Sequence, residues 1–281
     1  MPKSVFSRKR SSTSDDAILK AHAVGEVGSG EPALVLLHGF GADQAIWRRL
    51  THRFAETRRV ILYDQMGCGA SDLAHYDPER YRTLEGYADD LVEILDALRL
   101  RDATVVAHSV GGMIALLASL RTDRIARLAM IGASPRYLND GAYEGGFELQ
   151  DVEDFLGMME LDFQGWAKTL APQVMDQPDR PELVEELVYS FSRANADLSR
   201  RFAKATFMSD HRARLGECAL PTLLLQTRVD AVVPLTAARF LADHMPNARL
   251  EILDARGHYP QLSAPDAVFA AVETFLAETT G

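Results

Sequence analysis

Cysteine is nearly absent from this chain: its 281 residues hold two, Cys68 and Cys218, far apart and without the short spacings of metal ligands. That excludes a disulfide-stapled scaffold and a zinc-ribbon site, and it points to a reducing cytoplasm. No apolar run approaches the roughly 20 residues that cross a bilayer, so no membrane partner is expected. The stretch from Met1 to Asp16 is basic, then rich in serine and threonine, and it lacks the apolar core of a signal peptide. Residues 1–16 read as a disordered tail. Basic excess is also missing, since the formal charge is −10 and the pI about 5.3. Phosphate backbones need a concentrated basic face, so nucleic acid is excluded as a partner. Glycines two apart at Gly67 and Gly69 lack the third glycine of a dinucleotide loop, which argues against a nicotinamide site. Neither metal nor cofactor is expected.

What the chain does have is 47% apolar residues arranged in a repeating order. Continuous runs at Ala33 to Leu37, Arg59 to Tyr63, Val105 to Ala107 and Ile125 to Ile131 suit parallel strands buried on both faces. Helical spacing separates them, with Ile46, Trp47, Leu50 and Phe54 on one face and an amphipathic run from Ala88 to Leu98. Strand alternating with helix implies an α/β fold, a mostly parallel sheet with helices on both faces. Ile18 to Val27 alternates loosely and reads as an edge strand or hairpin. From Tyr137 to Cys218 the pattern changes to helix after helix, at Leu149 to Leu161, Gly165 to Leu170, Pro181 to Arg193 and Leu198 to Ser209. The sheet resumes at Thr222 to Gln226 and Arg249 to Leu253, and a helix from Pro265 to Ala277 closes the chain. The expected division is a core of residues 17–136 and 219–281 with a helical lid at 137–218. The lid is rich in aromatic residues and methionine, and about a third of these should face a cavity rather than the lid's own core.

In a parallel sheet of this kind reactive groups collect at the carboxyl ends of the strands. His38, Asp64, Ser109 and Ser134 all fall there. Val105-Val106-Ala107-His108-Ser109-Val110-Gly111-Gly112 passes from strand through serine to small residues that open a helix, the context of a nucleophile elbow. The G-x-S-x-G pattern is met except that Ala107 stands at the first glycine, and by itself such a serine is equally an N-cap. Asp230 follows a late strand and His258 follows the last one. The order Ser109, Asp230, His258, each on a loop after a strand, is that of a catalytic triad. The loop His38-Gly39-Phe40-Gly41 and the elbow then offer the N–H groups of Phe40 and Val110 as an oxyanion hole.

Several segments are more specific than the triad. His38-Gly39-Phe40-Gly41-Ala42-Asp43-Gln44, Ser134-Pro135-Arg136-Tyr137-Leu138-Asn139-Asp140, Gly145-Gly146-Phe147-Glu148 and Gly257-His258-Tyr259-Pro260-Gln261 resemble the α/β hydrolases that include the bacterial stress regulator RsbQ and the plant karrikin and strigolactone receptors. Gln177 to Glu182 and Phe202-Ala203-Lys204-Ala205 lean toward the bacterial RsbQ-type members. The resemblance implies an α/β-hydrolase fold with an inserted four-helix lid. It also implies a hydrophobic pocket lined by Tyr137, Phe147, Phe155, Trp166, Leu170 and Phe207. Ala107 departs from the family's usual glycine and is expected to tighten the elbow. Phe155 stands where the plant receptors tend to be aliphatic, so their ligand preferences do not carry over.

The expected function is a serine hydrolase acting on a small hydrophobic ester or lactone. The resemblance implies an alternative, a signalling module in which ligand binding or slow hydrolysis controls a protein partner, a PAS-type phosphatase in the bacterial relative. Carbon–carbon bond cleavage next to a carbonyl by the same triad is a third reading. An aspartate-nucleophile dehalogenase is disfavoured because the elbow carries serine.

Overall fold

The structure, a computed structural model, describes residues 13–279. Helix α1 (Thr13–Ala21) is followed by β1 (Gly25–Val27), β2 (Leu34–Leu37), α2 (Arg48–Ala55), β3 (Val60–Leu62) and α3 (Leu84–Ala97). Then come β4 (Ala103–His108), α4 (Val110–Ser119) and β5 (Ile125–Ile131). Four consecutive helices follow: α5 (Leu149–Leu161), α6 (Phe163–Met175), α7 (Pro181–Ser192) and α8 (Ala196–Phe207). The chain returns to the sheet with β6 (Thr222–Val229), α9 (Leu235–His244) and β7 (Ala248–Arg256), and ends in α10 (Pro260–Ser263) and α11 (Pro265–Glu278).

The strands form one seven-stranded sheet in the order β1-β3-β2-β4-β5-β6-β7. Only β1 is antiparallel, against β3. The continuous apolar runs account for this: all four residues of β2 and all six of β4 are buried, as expected of strands covered on both faces. One face packs Trp47, Leu50, Phe54, Val272 and Phe275 beneath β2, β3 and β6. The other carries Leu91, Ile94, Met113, Leu116 and Leu117 from α3 and α4. The α/β architecture expected from the sequence is the one observed.

The N-terminal reading needs correction. Residues 1–12 lie outside the described residues, but Thr13–Ala21 is a helix, so neither a tail to residue 16 nor a strand from Ile18 holds. Asp15 and Asp16 sit in its first turn and Lys20 in its last, charges that favour the helix dipole. Ala21 is buried and Ile18 and Leu19 pack on the same core cluster, so a helical stripe explains residues that loose alternation suggested as strand. Strand structure begins only at Gly25. The second of the four consecutive helices is also longer than its expected Gly165 to Leu170: Asp162 caps an earlier start by accepting from the Gly165 N–H, and the helix runs on through Pro172 to Met175.

Candidate active site

Ser109 is the last residue before α4 and has φ 56° and ψ −128°. A non-glycine residue rarely adopts such a backbone, and the strain lifts its side chain off the end of β4. Small neighbours are needed close by. A Cβ on Gly111 would lie 2.9 Å from the carbonyl oxygen of His38. Ala107 meets no such restriction: it is buried inside β4, in register with Leu37 and Met130, and its φ is not positive. The alanine is therefore an ordinary strand residue, and the strain begins at Ser109.

The structure brings the three candidates together. Ser109 Oγ lies 2.9 Å from His258 Nε2, and His258 Nδ1 lies 2.8 Å from Asp230 Oδ2. Since a carboxylate only accepts, Nδ1 carries the proton and Nε2 is left to accept from the serine hydroxyl. Asp230 is itself held by four donors. Its Oδ1 accepts from the N–H groups of Val232 at 2.8 Å and Val233 at 3.2 Å, and its Oδ2 from Gln226 Nε2 at 3.0 Å as well as from His258. Burial pushes this carboxyl up, but the His258 ring and the backbone donors outweigh it, so the group stays ionised below the usual carboxylate range.

His258 arrives on a loop pinned at both sides. Its backbone N–H donates to Val174 O in α6 at 2.7 Å, and its carbonyl accepts from His108 Nε2 at 2.8 Å. Gly257, with φ 86°, is the hinge of this loop, because a Cβ there would sit 2.1 Å from the Met175 carbonyl oxygen. His108 is fully buried, and desolvation holds its ring well below the usual histidine range, hence neutral, with Nδ1 bare. Spacing gave no hint that the residue before the serine would orient the loop of His258.

The other polar residues at strand ends do different work. His38 donates from Nδ1 to the Gly39 carbonyl and accepts at Nε2 from the Gln65 N–H. Asp64 accepts from Gln44 N and Ala70 N, and Ser134 donates to Arg136 O. All three spend their polar atoms shaping loops. By contrast, the Phe40 and Val110 N–H groups donate to no backbone carbonyl among the described residues, and Val110 opens α4, where the helix dipole favours an anion.

Above Ser109 is a cavity of about 90 Å³, lined by Phe40, Phe147, Phe155, Leu170, Phe191 and Phe207 among others. Four of the six residues expected in the pocket are therefore in its wall. Tyr137 sits at its base instead, with its hydroxyl 3.4 Å from Ser109 Oγ. Trp166 stands one layer back, stacked on Phe191 and edge-on to Phe40 and Phe155. Of the lid aromatics and methionines, Phe147, Phe155, Phe191 and Phe207 face the cavity, while Met158 and Met208 are exposed. Among residues not expected from the sequence, Thr206 and Tyr259 line the wall, and Asp151 and Gln173 lie exposed at its edge.

Comparison with known proteins gives this geometry a family. Residues 32–265 match the family described by the alpha/beta hydrolase fold. A strigolactone esterase from Pisum sativum is 38% identical over 264 residues, covering 93% of this chain and 98% of that one. A karrikin insensitive 2 receptor from Petunia hybrida is 35% identical over 251 residues, 89% and 93% of the two chains. The structure of a hydrolase from Oleispira antarctica superposes with a TM-score of 0.91 at 36% identity, covering 94% of this chain and 97% of that one. The chain belongs to the α/β-hydrolase family, of the type that includes the strigolactone and karrikin receptors.

Proposed function

We propose that the protein is a serine hydrolase for a small hydrophobic ester or lactone, with Ser109, His258 and Asp230 as its triad. The observation that carries this reading is the unbroken line from Ser109 Oγ through both His258 nitrogens to Asp230, at 2.9 and 2.8 Å, on a serine with φ 56°. His258 Nε2 takes the hydroxyl proton as Ser109 Oγ adds to the substrate carbonyl. The tetrahedral oxyanion is held by the Phe40 and Val110 N–H groups. His258 returns the proton to the departing alkoxide, leaving an acyl-serine and an alcohol; in a lactone both stay on one molecule. Water then adds to the acyl-serine as His258 takes its proton, and collapse breaks the acyl–Oγ bond while His258 gives that proton to Ser109 Oγ, freeing the acid and restoring the hydroxyl. Asp230 keeps the imidazolium oriented and neutralised throughout.

Helices α5 to α8, with residues 137–218 as a whole, are the lid of this site, and residues 17–136 and 219–281 its core. The small, ring-lined cavity favours a compact apolar substrate and a dry reaction centre. The named esterase among the relatives supports ester chemistry. Ser109→Ala should lower turnover of 4-nitrophenyl acetate by about 10⁴-fold or more, measured as kcat by release of nitrophenolate. Wild-type turnover in that variant would sink the proposal.

A second reading rests on the receptor among the relatives. His258 is tied by its own backbone to α6, so a ligand on the triad has a direct route to the lid. In this reading turnover is slow and a partner binds one lid state better than another. Burst kinetics on stopped-flow separate the two: a single burst of one product per protein with persistent acylation favours signalling, and steady turnover favours metabolism.

A further inference from the structure

We propose that Arg193 is a positioning residue of the oxyanion hole, acting through Asp43 on the loop that carries the Phe40 N–H. The inference rests on the serine-hydrolase reading above and deepens it: helices α5 to α8 not only cover the site but hold one of its oxyanion donors in place.

Three residues of this loop each carry a contact from those helices. The Phe40 ring is edge-on to Phe155 of α5, Trp166 of α6, and Phe202 and Phe207 of α8, with centroids between 5.9 and 6.2 Å apart. Gly41, with φ 73°, lies directly against Phe191 of α7, since a Cβ there would be 2.8 Å from its Cε1. Asp43 is the polar member. Its Oδ1 accepts from the Ala45 N–H at 2.8 Å and so caps the short turn Gln44–Trp47, whose Ile46 and Trp47 are buried in the core. Its Oδ2 accepts from Arg193 Nη2 at 3.0 Å, at the C-terminal cap of α7. One carboxylate therefore joins the core to α7 across the loop.

The ion pair is the contact that sets position. Ring contacts tolerate a range of angles, whereas a charge-assisted hydrogen bond fixes both distance and direction. Only Gly41 and Ala42 separate Asp43 from Phe40, so where Asp43 sits limits where the Phe40 N–H points. An oxyanion donor must be held to within about half an ångström to keep its worth. Arg193 is itself steadied over the Tyr189 ring, 4.9 Å from its centroid. Glu186, also on α7, pairs with Arg48 and Arg49, so α7 has a second tie to the core and removing Arg193 tests positioning rather than docking.

The test compares 4-nitrophenyl acetate with its thionoester, in which sulfur replaces the carbonyl oxygen. Sulfur is a weak hydrogen-bond acceptor, so the thionoester draws little on the oxyanion hole and the ratio of the two kcat/KM values reports that hole. A loss of folded protein lowers both equally and leaves the ratio unmoved. The Arg193 side chain is 51% exposed, so Arg193→Met should lower the ratio by about three- to fivefold, through kcat with KM little changed. Arg193→Lys should keep most of the wild-type ratio, because the pair is a single N–H···O contact and not a fork. Asp43→Asn retains an oxygen to cap Ala45 and should match Arg193→Met, and the double variant should be no worse than either. An unmoved ratio in Arg193→Met, equal loss in Arg193→Lys, or additive losses in the double variant would overturn the proposal. If Asp43→Asn does not fold by circular dichroism, the contrast between Arg193→Met and Arg193→Lys decides alone. Ser109→Ala is run alongside: surviving turnover sinks the hydrolase reading itself, whereas lost turnover there with an unmoved ratio in Arg193→Met sinks this inference alone.

Discussion

Two buried histidines each face an aspartate, His258 facing Asp230 and His22 facing Asp90. Both pairs sit in the same fold with side chains no more than 4% exposed. In the first pair the nitrogen and oxygen are 2.8 Å apart and the carboxylate takes three further donors. In the second they are 3.5 Å apart, and among the described residues neither His22 Nε2 nor Asp90 Oδ2 has a hydrogen bond. His22 Nδ1 must carry its proton to donate to the Asp64 carbonyl, so Nε2 presents a lone pair to Asp90 unless the ring is charged. Among the described residues Asp90 has only Arg80, shared with Glu93, and the Tyr81 hydroxyl, both on Oδ1. Burial consequently wins, raising its carboxyl to about 7, while the Asp230 carboxyl goes down. The same two residue types give a fixed anion or a protonatable acid, according to how many donors the backbone and neighbours supply.

The largest predicted effect breaks the first pair. In Asp230→Asn the new amide can donate to His258 Nδ1, which moves the ring proton to Nε2 and points it at Ser109. The base is then occupied, and kcat on an activated ester should fall about 10³- to 10⁴-fold with KM little changed. Loss of less than tenfold would mean that the four donors around Asp230 serve the loop and not the chemistry.

The second pair should show itself in stability rather than turnover. Asp90 has a folded-state pKa raised above 3.8, so the native protein holds that proton between about pH 4 and 7 where the unfolded chain has released it. Its contribution is complete below that window and is lost as pH rises through it. His22 runs the other way: burial lowers its pKa below 6.5, so its contribution is present above that value and is lost as pH falls through the folded pKa. Asp90→Asn removes the first effect alone. Urea titrations should show the wild type's advantage over Asp90→Asn shrinking from pH 4 to pH 7 by on the order of 2 kcal/mol. A constant difference across that range would put Asp90 with Asp230, as a carboxylate ionised throughout.

The contrast also explains what the sequence could and could not disclose. Ser109, Asp230 and His258 were legible because each follows a parallel strand, and strand ends are set by apolar runs as plain as Val105 to Ala107 and Thr222 to Gln226. The same rule offered His38, Asp64 and Ser134, and it had no means of telling that their polar atoms are consumed by nearby backbone. His108 and Gln226 were invisible for a related reason: what they do depends on a partner about 3 Å away, which no local pattern encodes. Helix α1 was misread because nine residues with three partly or fully buried apolar positions fit loose alternation as well as a helical stripe.

Gln226 offers the finest adjustment of the comparison. The residue is 1% exposed, in the middle of β6, and its side chain donates from Nε2 to both Asp230 Oδ2 and the Val233 carbonyl. Gln226→Leu keeps the volume and removes one of Asp230's four donors, moving that carboxylate one step toward the situation of Asp90. With Val232, Val233 and His258 still in place, the carboxyl should rise but remain ionised at neutral pH. The cost should therefore be about three- to tenfold in kcat, the worth of a single hydrogen bond to a charged group partly compensated by those left. The acid limb of the kcat profile should move to higher pH in the same variant. A loss as large as that of Asp230→Asn would show that this one donor, rather than the set, holds Asp230 in its working ionisation and orientation.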